Sequence, residues 1–170
     1  LNESIKRQNE IMKYCILSNL VFTSLIQKDI KSGFDYLNRI DEQFTDDLDL
    51  KMYKCLLYYF SHEYTKSKEC IASFFRDVKD SKYHKNFIRA LKYMMDNKPM
   101  KAIANFETCY QIALKNGRYD RAIFVLKQLN ELYLDHGLQN KLKKVKELQE
   151  NFYKMSYANQ IIEDIELKLN

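Results

Sequence analysis

Along most of this chain apolar residues return every three or four positions, with polar residues filling the gaps. That is the period of a helix with one buried face. The pattern predicts four helix pairs, about 5–27 with 29–43, 48–62 with 65–78, 84–96 with 99–116, and 119–135 with 138–154. A last helix is expected over about 157–169, where it would cover an open end. Short linkers make consecutive helices antiparallel neighbours. The punctuation agrees. Pro99 falls in a first helical turn, where its missing N–H costs little. Gly117 and Gly137 follow helix ends that call for a left-handed residue. Three glycines and one proline in 170 residues point to an all-helical chain rather than a turn-rich sheet protein.

The helical pattern also repeats. The segments DIKSGFDYLNRI (29–40), EYTKSKECIASFF (63–75), KPMKAIANFETC (98–109) and GLQNKLKKVKEL (137–148) can be laid over one another. Each leads into a small or apolar residue, namely Gly33, Ser67, Ala102 and Leu142, at intervals of 34, 35 and 40 residues. Apolar residues follow four and seven positions later: Leu37 and Ile40, Ile71 and Phe74, Phe106 and Cys109. In the last unit Lys146 and Gln149 take those places, which marks it as shifted, degenerate or terminal. Recurrence at this interval signals stacked helix pairs.

These residues resemble the tetratricopeptide repeat. Ala90 and Tyr93 match the small residue and tyrosine of its first helix, and Ala102, Phe106 and Cys109 match the positions of its second. LNELYLDHG (129–137) is similar to the family's leucine–glycine–tyrosine segment, with Asn130 replacing the glycine, and Leu114 stands where the family prefers proline. The resemblance is close over 84–137 and loose over 5–154. It implies one helical-repeat domain over 1–170: a right-handed superhelix of antiparallel helix pairs with a C-terminal capping helix.

Composition narrows the function classes. The net charge of +5 is modest, and its densest cluster, KLKKVK (141–146), is broken by Leu142 and Val145 as on a surface helix, so nucleic-acid contact is not expected. Cys15, Cys55, Cys70 and Cys109 are far apart with no CxxC pair, which argues for reduced thiols in a cytosolic setting and against zinc. The apolar run 14–26 is too short to span a bilayer, and the N-terminus lacks signal-peptide build and an initiator methionine, as in a fragment or processed chain. His62 and His136 fall near helix C-termini, and none of the three histidines sits in an HExxH or a close acid–base pair. Asp46, Asp47 and Asp49 read as a cap and first-turn acids for the following helix. With no phosphate loop and no nucleophile elbow, neither enzymatic chemistry nor a cofactor is expected.

What remains is binding. In the tetratricopeptide register the first helices present Phe22, Met52, Tyr59, His84, Phe87, Leu91, Met94, Met95, Lys127 and Glu131 on a concave face. Tyr59, His84, Phe87, Leu91, Met94, Lys127, Asn130 and Glu131 are the expected peptide contacts, apolar groups supplying area and polar groups holding backbone or termini. Asn130 offers a donor and an acceptor to one peptide unit, or else tolerates a close helix contact. Arg89 and Arg121 are candidates for a peptide carboxylate or ordinary surface residues. YQIALKNGRYDRAIFVLKQLNELYLDHG (110–137) is similar in style to the repeat domains of Gram-positive cytosolic peptide-pheromone receptors, which implies the sensing part of a transcriptional regulator. A protein-interaction scaffold or secretion chaperone is the alternative. Ile161, Ile162, Ile165, Leu167 and Leu169 give the last helix more apolar surface than a cap uses, so a homodimer through Ser156–Asn170 is expected, with a simple cap as the other reading.

Overall fold

The computed structural model describes residues 2–44, 46–78, 80–151 and 154. Among them the fold is all-α. In order come α1 (Asn2–Gln27), α2 (Ile30–Leu37), a short 3-10 turn (Glu42–Phe44), α3 (Leu48–Phe60), α4 (Tyr64–Asp77) and α5 (Lys82–Met95). Then follow α6 (Pro99–Lys115), α7 (Tyr119–Asp135) and a helical segment, α8, over 139–151. Helices lie in contacting pairs, consistent with a tetratricopeptide-like repeat. The capping helix expected over 157–169, and the dimer surface assigned to Ser156–Asn170, lie outside the described residues.

Two compact units divide the chain, Leu1–Lys98 and Pro99–Asn170. In the first, α1 packs on α2 and α3 on α4, while α3 also touches α1, α2 and α5, and α5 rests on α4. The small leading residues decide how close these helices come. Gly33 is buried where α2 crosses α3, and an added Cβ there would sit 2.5 Å from Leu57 Cδ2. Ser67 is fully buried and its hydroxyl donates to the Cys55 carbonyl at 3.0 Å, so α4 approaches α3 without orphaning a polar group.

The second helix is shorter than its pattern suggested. The periodicity predicts 29–43, whereas α2 ends at Leu37 with Asn38 as its cap. Arg39 N and Ile40 N then donate to Tyr36 O and Leu37 O, tightening the last turn. Ile40 still reaches the core, and Phe44 stacks on Tyr14 of α1 at 4.5 Å, which pins the 3-10 turn.

Every first helix ends in one local geometry. Lys28, His62, Asn97 and Gly137 have φ of 59°, 61°, 54° and 65°. The next residue's N–H reaches back five positions: Asp29 to Ser24 O, Glu63 to Tyr58 O, Lys98 to Tyr93 O and Leu138 to Tyr133 O, at 2.8–2.9 Å. This is the Schellman closure, which satisfies carbonyls left open at a helix end. The four left-handed positions are spaced 34, 35 and 40 residues apart, the same intervals as the leading small residues. A side chain at positive φ is strained where glycine is not. Lys28→Gly is therefore expected to stabilise the chain by about 0.5–1 kcal/mol, after allowing for glycine's looser unfolded state. Urea unfolding followed by circular dichroism reads this as a higher midpoint, and a lower midpoint would show that the Lys28 side chain contributes more than its backbone strain costs.

In the second unit α6 packs along α7. Ala102, Phe106 and Cys109 of α6 are buried as the repeat register requires, with Ala122, Val125 and Leu129 from α7. Leu142 and Val145 of α8 are buried too, whereas Lys146 is exposed, in keeping with a degenerate last unit. Tyr133 O–H donates to Glu107 Oε1 at 2.6 Å and Lys141 Nζ donates to the same oxygen at 2.7 Å, so one carboxylate ties α6, α7 and α8. Burial pushes the Glu107 carboxyl up, but the Lys141 and Tyr133 hydrogen bonds outweigh it and hold the group below its usual range.

Candidate functional site

Residues spaced by four, four, three and four share one face of a helix, and on α7 these are Tyr119, Ile123, Lys127, Asn130 and Leu134. Tyr119 is 54% exposed and Leu134 59%, large apolar side chains at the two ends of a 17-residue helix. Between them lie half-buried Ile123, Lys127 and Asn130, with exposed Glu131 beside them. The rest of α7 is consumed by the core, through Ala122, Phe124, Val125, Leu126, Leu129 and Tyr133. Asn130 is the unusual member. Its Oδ1 is buried and has no hydrogen-bond partner. A buried acceptor left unsatisfied costs about 1–3 kcal/mol, a cost that a ligand N–H relieves when the amide turns outward to meet it.

Two of the expected contacts, Lys127 and Asn130, thus fall on this stripe, and a third, Glu131, lies beside it. Tyr119, Ile123 and Leu134 share the face but were not among the expected contacts, although their spacing from Lys127 and Asn130 was readable. Arg121 is half-buried and off the stripe. Arg89, on α5, lies 5.9 Å from the centre of the Phe75 ring, an ordinary cation–π contact.

The other expected contacts belong to the first unit. Tyr59 is half-buried in a ring cluster with Phe60 at 5.4 Å and Tyr64 at 5.8 Å. Met94 and Met95 are half-buried, as is Phe22, which stacks on Tyr53 at 5.7 Å. Met52, His84, Phe87 and Leu91 are core residues, with Phe87 0% and Leu91 1% exposed. The register allotted them to an open face. The cause is the number of neighbours: α5 packs against both α3 and α4, and α3, which carries Met52, against α1, α2, α4 and α5, so each buries a wider stripe than one core face.

His84 corrects a second expectation, that no histidine enters an acid–base pair. Its Nε2 lies 2.9 Å from Asp49 Oδ1, and its Nδ1 lies 2.6 Å from Ser81 Oγ. Although this is a serine–histidine–aspartate chain, its members stand at two helix N-termini. Ser81 stands at the N-cap position of α5, His84 is three residues on, and Asp49 is the first-turn acid of α3. The Ser81 side chain makes no cap bond to the α5 backbone; it holds the His84 ring, whose other nitrogen meets Asp49, so the three side chains fasten α5 to α3. Asp47 caps α3 as expected, accepting from the N–H groups of Asp49 and Leu50 at 2.8 and 3.0 Å. Among the described residues no group of three or more His, Cys, Asp or Glu is placed to hold a metal ion, and no helix is long and apolar enough to cross a membrane.

The first unit also contains a cavity of about 430 Å³ that none of the expected contacts lines. Phe34 and Leu37 of α2 with its cap Asn38 form one wall, Lys51, Lys54 and Tyr58 of α3 a second, and Cys70, Ser73 and Phe74 of α4 a third. Each set has the three- and four-residue spacing of one helix face. Phe34 and Tyr58 meet at 5.1 Å. Lys51 is held by Asp46 at 2.9 Å and lies 3.8 Å from Asp77, which also accepts from Ser73 Oγ.

Comparison with protein-family models, with curated proteins and with solved structures finds no match to this chain. The functional reading rests on the side chains themselves.

Proposed function

We propose that this chain is a binding module whose α7 face takes up an extended peptide segment. The observation that carries this reading is the unpartnered Asn130 Oδ1, set among polar neighbours and flanked by exposed Tyr119 and Leu134. A peptide lying along α7 would place apolar side chains on Tyr119 and Leu134 and a backbone N–H on Asn130. Lys127 and Glu131 supply opposite charges for the peptide's polar groups or termini. The most concrete form of the proposal is the peptide-sensing part of a cytosolic transcriptional regulator. An interaction scaffold or secretion chaperone uses the same face for a segment of a larger protein, and the two exposed apolar anchors serve it equally well.

Selection from a phage-displayed library of random short peptides tests the reading. Peptides enriched on the parent chain are expected to lose about thirtyfold in affinity on Asn130→Ala, the equivalent of ~2 kcal/mol at a hot spot. Leu134→Ala should weaken them as well, whereas Lys144→Ala, on the exposed side of α8, should not. Enriched peptides that bind all three variants as tightly as the parent would show that the α7 face is not the site.

A further inference from the structure

Two of the four cysteines meet across the α3–α4 seam, and only one of them is reachable. Cys55 is 1% exposed, while Cys70 is half-buried and lines the cavity between α2, α3 and α4. The Cys55 thiol is placed to donate a hydrogen bond to the Cys70 sulfur. The backbones are held at this level by the Ser67 hydroxyl, one turn before Cys70, which donates to the Cys55 carbonyl at 3.0 Å. Lys54, exposed and lining the same cavity, brings its charge to the sulfur from α3.

We propose that Cys70 and Cys55 form a peroxide-reactive dithiol, Cys70 being oxidised first from the cavity and Cys55 resolving it into a disulfide. The geometry has three parts: an entry large enough for hydrogen peroxide, a reachable sulfur at its wall, and a second, shielded cysteine on the facing helix at the level fixed by the Ser67 hydrogen bond. Charge favours the same division of labour. The Cys55 hydrogen bond, outweighing burial and helped by Lys54, brings the Cys70 thiol down to about 7. Its hydrogen bond to Cys70, and then burial, push the Cys55 thiol well above the usual thiol range. The remaining charges near Cys70 are few. Glu69 on its own helix opposes ionisation, and Lys51 on α3 is engaged by Asp46 and Asp77. The α2 wall is Phe34, Leu37 and Asn38, none of which titrates, and Arg89 of α5 lies over Phe75.

The chemistry balances with hydrogen peroxide as the only co-reactant. The Cys70 thiolate attacks one peroxide oxygen, an S–O bond forms, the O–O bond breaks, and hydroxide leaves to take a proton from solvent. The Cys55 sulfur then attacks the sulfenic sulfur. An S–S bond forms, the S–O bond breaks, and the departing hydroxide leaves as water with the Cys55 proton. Two thiols and one peroxide become one disulfide and two waters, the sulfurs giving up two electrons. Cys15, exposed on α1, and Cys109, buried on α6 with its thiol raised by burial, stand outside the device and serve as internal references.

The test uses the full chain with Cys15→Ser to silence the exposed thiol. After treatment with equimolar hydrogen peroxide, mass spectrometry is expected to show the loss of two hydrogens and a peptide cross-linked through Cys55 and Cys70. Cys55→Ser should instead leave a sulfenic acid on Cys70 that dimedone traps, and Cys70→Ser should leave Cys55 unreacted. In the parent, alkylation by iodoacetamide at pH 7 should be a few-fold faster at Cys70 than at a thiol of ordinary pKa near 8.5, its larger thiolate fraction being partly offset by a lower intrinsic nucleophilicity. Lys54→Gln should move the midpoint of that reaction upward. Two results overturn the proposal: no Cys55–Cys70 link in the oxidised parent, or alkylation of Cys70 with an ordinary midpoint above 8. Both are read on chains that keep Cys55 and Cys70, so neither depends on how the cysteine variants fold.

Discussion

Phe87→Ala is expected to lower the unfolding free energy by about 3–5 kcal/mol, the usual cost of emptying a buried aromatic site. The ring is 0% exposed, on a helix that packs against both α3 and α4, with Tyr83 beside it at 6.1 Å between ring centres. Ile88, Ala90 and Leu91 around it are buried as well. A domain is typically stable by about 5–15 kcal/mol, so this one truncation would consume a large part of the total. Urea unfolding by circular dichroism should show a much lower midpoint with an unchanged slope. The register on a concave face implies something different, a side chain whose removal weakens ligand binding and spares the fold. A parent-like urea midpoint would therefore return Phe87 to the list of ligand contacts.

Gly33→Leu is expected to cost about 3 kcal/mol or more, at the upper end of what overpacking does. Even the first added carbon would lie 2.5 Å from Leu57 Cδ2 and 3.5 Å from Ser24 Cβ. Leu57 is fully buried, so its side chain has no solvent to swing into. Gly33→Ala makes the graded comparison. It gains about 1 kcal/mol in helix propensity but loses about 1–3 kcal/mol if the Leu57 side chain cannot give way. Near balance or a small net loss is the expected outcome. Leucine repeats the clash with three further carbons and gains no more propensity than alanine. Equal stability of the two variants, read by thermal unfolding, would mean that α2 and α3 are not pressed together at Gly33.

The helices were legible because their signals are local. Gly33, Ser67 and Ala102 are the small residues at which second helices press into their units, and their spacing could be read before any contact was known. Gly117 and Gly137 announced their left-handed turns by having no side chain, while Lys28, His62 and Asn97 adopt the same conformation without announcing it. Hydrogen-bond closure of a helix end is strong enough to impose positive φ on a residue that would not choose it. The α7 stripe was half legible. Lys127, Asn130 and Glu131 stood out as polar residues in an apolar register, but the exposure of Tyr119 and Leu134 depends on how α7 is rotated about its own axis.

By itself, then, the order of residues determined that the chain is helical, where most of its described helices run, and the interval at which small residues and helix ends recur. Each of these follows from steric and hydrogen-bonding rules that act within a few residues. Tertiary structure alone decided that α5 buries Phe87, Leu91 and His84, that His84 finds Asp49 35 residues away, and that Cys55 faces Cys70 across a seam. A helix with apolar residues on more than one side can be buried at several rotations, and its own sequence does not choose among them. The choice is made by the summed packing of all its neighbours, which no single segment of the chain contains.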